Sequence, residues 1–302
     1  MKRLIITADD FGAAPEVNAA VEVAHHEGIL TAASLMVTGP AAADAVARAR
    51  KMPSLGVGLH LVLIESRPLL PPAAVPTLVD KDGRFRSGMV RLGADIFFSA
   101  RARTELAAEM TAQFEAFRAT GLSLDHCNAH KHFHLHPTIG RLMVDIGKRF
   151  GLKASRVPTE PKAPLKLAEP GANPVPAWVT APWAGLLRRR LRAAGILTPD
   201  QVFGLRWSGA MTKERLRGLI HNLPPGLSEI YLHPATSGAF AGAVPDYLYE
   251  DELAALISRD VIAESRDPSL RLGGFADFLT SKNGGAMLGA SQNGERNRSL
   301  AP

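Results

Sequence analysis

Two adjacent carboxylates at the end of an apolar run are the first residues in this chain with chemistry to offer. In "ITADDFGAAPEVNAAV", Ile6 to Val21, Asp9 and Asp10 follow Leu4, Ile5 and Ile6, which read as a buried strand. Neighbours on a continuing strand point to opposite faces. Both acids serve one site only if the strand stops there, and Phe11-Gly12 is a suitable stop. Alone, an Asp-Asp pair is a turn and cap signal.

Histidines change that balance. His60 ends the apolar run "GVGLHL", and "LDHCNAHKHFHLHP" places His126, Asn128, His130, His132, His134 and His136 at alternate positions. Such alternation sets imidazoles on one face of an extended chain. Five of the ten histidines fall within this one segment, which packing does not explain. At about 3.3 Å per strand residue, His130 and His134 stand roughly 13 Å apart, too far to share an ion. On a helical turn they become an i, i+4 pair that can share one, and spacing leaves both cases open. His233 ends another apolar run, "SEIYLHPA". Singly, His60 and His233 are ordinary structural histidines; together with the aspartates at other strand ends they favour a shared site.

Neutral imidazoles with a carboxylate suit one divalent ion, Zn²⁺ with an open position for water, or Mg²⁺ or Mn²⁺ with added waters. A free carboxylate beside such an ion can take a proton from water. One aspartate would hold the metal and the other would act as base.

Alternating elements must carry these residues. The patterns predict strands at 3–8, 33–37, 55–61, 122–132, 153–157, 201–207, 228–233 and 270–275. Helices are predicted at 15–27, 41–50, 103–120, 138–150, 213–222 and 250–263, with an arginine-bearing helix ending at 194. Proline-rich excursions cover 64–88 and 158–182. Seven or eight strands alternating with helices predict an α/β fold, a (β/α) barrel over residues 1–280 with its chemistry at the C-terminal strand ends. Residues 281–302 lack periodicity and read as a disordered tail.

Composition narrows the classes. The chain has 302 residues, of which Cys127 is the one cysteine, excluding an internal disulfide and a thiolate cluster and favouring a reducing cytoplasm. The apolar stretch after Lys2 and Arg3 is too short for a signal peptide, and no run is long enough to span a bilayer. With three Tyr and three Trp, the net charge of +6 does not read as nucleic-acid binding. Arg188, Arg189, Arg190 and Arg192 form a solvated helix face on the ordinary reading. With Trp178 and Trp183 upstream, they can also meet anionic headgroups at the inner membrane face.

The segments "LIITADDFG", "GVGLHL", "DHCNAHKHFHLHP" and "SEIYLHPA", in that order, resemble the YdjC-like carbohydrate deacetylases over residues 2–279, and most of all their hopanoid biosynthesis-associated subgroup. The resemblance implies an irregular (β/α) barrel similar to polysaccharide deacetylases, and metal-dependent removal of acetyl groups from N-acetylated sugars. It implies Asp10, His60 and His130 as metal ligands, Asp9 as base and His233 as general acid. His132 and His134 would line or support the site, and Arg156 would be a substrate-facing basic residue. Many relatives carry Asp where this chain has Asn128, which hydrogen-bonds but does not titrate. The subgroup implies N-acetylglucosaminyl bacteriohopanetetrol as substrate. The competing expectations are a soluble sugar such as diacetylchitobiose, another metal-dependent hydrolysis, or a non-catalytic lipid or sugar carrier.

Overall fold

A computed structural model describes residues 1–176 and 180–279. The elements are β1 (Lys2–Phe11), α1 (Pro15–His26), β2 (Ala32–Leu35), α2 (Ala42–Ala49), β3 (Gly56–Leu61), α3 (Met89–Phe98), α4 (Ala100–Ala119), β4 (Cys127–Ala129) and α5 (Pro137–Arg149). They continue as α6 (Lys162–Ala168), α7 (Ala181–Ala193), β5 (Gln201–Phe203), α8 (Lys213–His221), β6 (Gly226–Leu232), α9 (Tyr249–Leu256), α10 (Arg259–Ser265) and β7 (Leu270–Leu272).

All described strand pairs are parallel, in the order β4-β3-β2-β1-β6-β5, with β7 beside the start of β1. Because a parallel sheet is covered on both faces, the middle of its central strand is largely apolar, and Leu4, Ile5, Ile6 and Ala8 of β1 are fully buried. The sheet curls until its edges meet across 154–159. Cys127 N donates to Ala154 O at 3.1 Å, Ser155 N to Leu197 O at 2.9 Å and Val202 N to Thr159 O at 2.9 Å. The α/β barrel expectation is met, with seven strands and an irregular seam.

Local departures from the predicted elements fall near that seam and the site. The strand predicted at 122–132 is confined to β4, and 153–157 contributes only single bridges. The predicted strand at 201–207 ends at Phe203, where the next residue, Gly204, turns at φ 122°. The helix predicted from 103 starts at Ala100, where Ser99 caps it by accepting from Ala102 N at 3.2 Å, and the preceding helix α3 was not predicted. Helix 250–263 divides at Ile257-Ser258 into α9 and α10. The expected tail and Trp178 lie outside the described residues.

Candidate active site

β1 does not stop after Asp10; it bulges. Ala8 pairs with Ala33 and Phe11 with Leu35, so three steps on β1 match two on β2, leaving one extra residue. Asp10 takes up the difference at φ 62°, a left-handed conformation that Asp tolerates better than most residues. The bulge breaks the period of two and lets both carboxylates reach one side. Asn18 of α1 holds the chain beyond it, accepting from Gly12 N at 2.8 Å and donating to Ala41 O at 3.0 Å. Gly12 is required there, with φ 96° and a position where Cβ would lie 3.0 Å from Met36 O.

Asp10 faces two imidazoles. Its Oδ1 lies 3.2 Å from His60 Nε2 and 3.2 Å from His130 Nδ1. The ligand atoms of Asp10, His60 and His130 all fall within 4.8 Å of one another, a group able to hold a cation. Asn128 tests that fit. Its Nδ2 donates to the Asp9 carboxylate at 3.1 Å, so its Oδ1 is the acceptor for His60 Nδ1 at 2.7 Å. His60 Nε2 is then the bare nitrogen, buried without a hydrogen-bond partner and aimed at a carboxylate oxygen. Two acceptors in that position fit a cation between them. Burial works to raise the Asp10 pKa, but His130 and His60 outweigh it and hold the carboxyl well below the usual range. Burial likewise works to lower the His130 pKa, but Asp10 outweighs it and raises it.

Asp9 is 2% exposed and belongs to a different partner. Arg156 donates to its Oδ2 at 2.5 Å and its Oδ1 at 3.0 Å. The same guanidinium donates to Glu229 Oε1 through Nε at 2.9 Å and through a terminal nitrogen at 2.7 Å, and lies 4.4 Å from the Tyr231 ring centre. Burial works to raise the Asp9 pKa, but Arg156 more than compensates and keeps it far below the carboxylate range. Arg156 is itself fully buried and lines neither cavity, so it lies behind Asp9 and does not face a substrate directly as the resemblance implied.

The histidine segment does not stay extended after Ala129. His130–Leu135 is a 3₁₀ turn in which Lys131 and His132 adopt φ 53° and 54°, which separates residues that strand alternation would align. His132 Nε2 meets Tyr231 Oη at 3.0 Å. His134 turns inward, donates through Nε2 to Arg156 O at 3.1 Å, and has its pKa pushed down to about 3 by burial and then by Arg156. It is thus a neutral brace of the Arg156 backbone. His130 and His134 do not share an ion site.

His233 follows β6, its backbone N–H donating to buried Glu252, and its Nδ1 is buried with no partner. It lines a cavity of about 500 Å³ together with Asp9, Asp10, His130, Glu65 and Arg67. A second cavity of about 930 Å³ opens on the other side of Lys131 and is bounded by Phe97, Phe98, His132, Phe133 and Trp183. The arginines of α7 are largely engaged within the protein. Arg188 donates to Asp200 O and Thr159 Oγ1, Arg190 to Pro137 O, and Arg192 lies 3.7 Å from Asp200, leaving Arg189 exposed.

Sequence reasoning missed Glu229, Tyr231 and Glu252. Glu229 left a signal, a charged residue inside the apolar run of β6; Tyr231 and Glu252 left none.

An α/β barrel with carboxylates and imidazoles gathered at its C-terminal strand ends is the architecture of a hydrolase-type site. Residues 3–265 match the family described as YdjC-like protein, and the chain belongs to that family. It is 30% identical over 278 residues to a carbohydrate deacetylase of Geobacillus stearothermophilus, covering 91% of this chain and 97% of the relative. A carbohydrate deacetylase of Brevibacillus brevis is 40% identical over 148 residues, 49% of this chain and 56% of the relative. The fold is similar to that of a candidate cellobiose-phosphate cleavage protein from Enterococcus faecalis, with a TM-score of 0.71 at 24% identity over 92% of this chain and 99% of that one.

Proposed function

We propose that this chain is a carbohydrate N-deacetylase that uses one divalent cation, Zn²⁺, Mg²⁺ or Mn²⁺, and that it acts on N-acetylglucosaminyl bacteriohopanetetrol in hopanoid side-chain biosynthesis. The observation that carries the reading is the separation of two adjacent aspartates into two environments, Asp10 among imidazoles and Asp9 against a guanidinium. Relatives named for carbohydrate deacetylation support the sugar. The aromatic cavity beside His132 supports an apolar anchor.

Asp10, His60 and His130 are the ligands. When bound, the cation polarises a carbonyl oxygen and lowers the pKa of water, which lets a carboxylate as weakly basic as Asp9 act as base. Arg156 and Asn128 keep Asp9 ionised and fixed in orientation. Water oxygen adds to the acetyl carbon while its proton passes to Asp9. His233, which lines the same cavity, protonates the amide nitrogen as the C–N bond breaks, releasing acetate and the free amine.

The lipid-linked substrate implies contact with the inner membrane face, and the apolar rim suits this better than the bonded arginines. Val90 is 89% exposed, Phe98 81% and Trp183 40%. No described helix is long and apolar enough to cross a membrane.

The test is acetate release by cation-reconstituted protein from N-acetylglucosaminyl bacteriohopanetetrol and from N,N'-diacetylchitobiose. Asp9→Asn is expected to retain cation and lose turnover, and His130→Ala to lose both. Turnover of the lipid-linked sugar alone supports the full reading, and turnover of chitobiose alone removes the hopanoid assignment. Turnover of neither by cation-loaded protein removes the deacetylase reading.

A further inference from the structure

Beneath the site, Ser34, His126 and Asp125 stand in the order of a hydrolytic triad. Ser34 Oγ lies 2.9 Å from His126 Nε2, and His126 Nδ1 lies 3.0 Å from Asp125 Oδ2. Ser34 and His126 are nevertheless fully buried, and neither borders the two cavities beside the site. No substrate reaches this hydroxyl. Its other neighbour is Asn128, whose Nδ2 lies 2.9 Å away.

The direction of every hydrogen bond in this line follows from its ends. Asn128 Nδ2 has two hydrogens, one given to Asp9 Oδ1 and the other to Ser34 Oγ. At the other end the Asp125 carboxylate only accepts, which leaves His126 Nε2 bare to take the Ser34 proton. His126 therefore carries its hydrogen on Nδ1 and donates it to Asp125, whose other oxygen accepts from Ala276 N at 2.9 Å. We propose that Asp125, His126 and Ser34 are positioning residues that hold Asn128 in one orientation and thereby fix which nitrogen His60 offers to a cation. This rests on the reading of Asp10, His60 and His130 as ligands.

The consequence of losing the line is specific. Rotating the Asn128 amide by half a turn would set its oxygen against Asp9 and its NH₂ against His60 Nδ1. His60 would then carry its hydrogen on Nε2, facing Asp10, and could not ligate. The space for the line is built into β3. A Cβ on Gly58 would lie 2.5 Å from the His126 ring, and one on Gly56 would lie 2.7 Å from Asp125 Oδ2. Thus "GVGLH" supplies both the ligand His60 and the two vacancies that seat its supports. Phe275 stacks on the His126 ring at 4.3 Å between centres, closing the far side.

The experiment compares full-length wild type, Ser34→Ala, His126→Phe and the double variant by Zn²⁺ titration calorimetry, thermal melting and acetate-release kinetics. Nitrogen-15 spectra of the histidines in cation-free protein report the tautomers. Ser34→Ala is expected to weaken Zn²⁺ affinity roughly tenfold and lower kcat at unchanged KM, as loss of a ligand's outer partner does. The double variant is expected to be no worse than either single one, because both cut the same line. Wild-type His60 is expected to carry its hydrogen on Nδ1, with a mixture in Ser34→Ala. Zn²⁺ affinity and kcat of Ser34→Ala both within about twofold of wild type would overturn the proposal; so would strictly additive losses, or an Nε2–H tautomer of His60 in the wild type. If His126→Phe does not fold, Ser34→Ala decides alone. A wild type that takes none of Zn²⁺, Mg²⁺ and Mn²⁺ removes the proposed function instead, while the His60 tautomer still tests the line.

Discussion

Residues 64–88 and residues 170–176 both carry prolines and turn residues, and both form cavity walls, yet they are held differently. The first is fastened by side chains of α4 to its own backbone. Glu109 accepts from Leu69 N and Leu70 N at 2.9 Å each, Glu105 accepts from Thr77 N at 2.8 Å, and Gln113 bonds Val62, just ahead of the segment, through both N and O. These three residues are spaced by four along α4 and share one face. The described hydrogen bonds of 170–176 are local, from Ala172 N to Glu169 O and from Asn173 Nδ2 to Gly171 O. The fixed wall borders Asp10 and His130, where ångström placement governs chemistry. The loosely bonded one borders the aromatic cavity, where apolar contact needs area more than direction.

Glu109→Ala should break this contrast most strongly. Glu109 is fully buried, and its loss would leave Leu69 and Leu70 N–H groups without acceptors, destabilising the fold by roughly 2–4 kcal/mol. Urea unfolding measures it, with Val175→Ser as the counterpart from the other wall, expected to shift stability by no more than about 0.5 kcal/mol. Equal shifts would show that the two walls are held alike.

A smaller effect, on binding instead of folding, is expected from Phe98→Ser combined with Trp183→Ser. Losing aromatic burial of about 1.5–3 kcal/mol per side chain corresponds to tenfold or more in KM for a substrate with an apolar anchor. Diacetylchitobiose, which has no such anchor, should keep its KM. A matching rise for both substrates would mean that the aromatic wall shapes the polar cavity and does not bind separately.

Much of the site was legible because its residues interrupt apolar runs. Asp9, Asp10, His60 and His233 each end one, and the barrel places strand ends together. What was not legible depends on backbone dihedrals or on partners distant in sequence. The bulge at Asp10 and the left-handed Lys131 and His132 are local conformations that a period of two cannot express. They explain why the evenly spaced histidines divide, with His130 at Asp10 and His134 under Arg156. Ser34 sits in "AASLMV" as an unremarkable small residue, and its role exists only through His126 and Asn128. Arg156 was singled out at a strand end, but its direction, inward to Asp9 and Glu229, followed from a buried acid on another strand.

The smallest expected effect lies where the two walls meet. Lys131 borders both cavities and pairs with Glu65 at 2.5 Å, with side chains 43% and 37% exposed. A pair this exposed contributes less than about 1 kcal/mol, so Glu65→Gln and Lys131→Gln should each leave the urea midpoint nearly unchanged. Their coupling should appear in selectivity. The bridge ties the turn that carries His130 to the fixed wall, and a substrate entering both cavities must pass it, whereas diacetylchitobiose need occupy only one. Glu65→Gln should therefore change KM for the lipid-linked sugar by roughly two- to fivefold, within the energy of one exposed pair, with less change for diacetylchitobiose. The double variant should match the single ones, since either substitution already breaks the pair. A change confined to kcat for both substrates would instead assign the pair to holding His130, and would join the junction to the fixed wall.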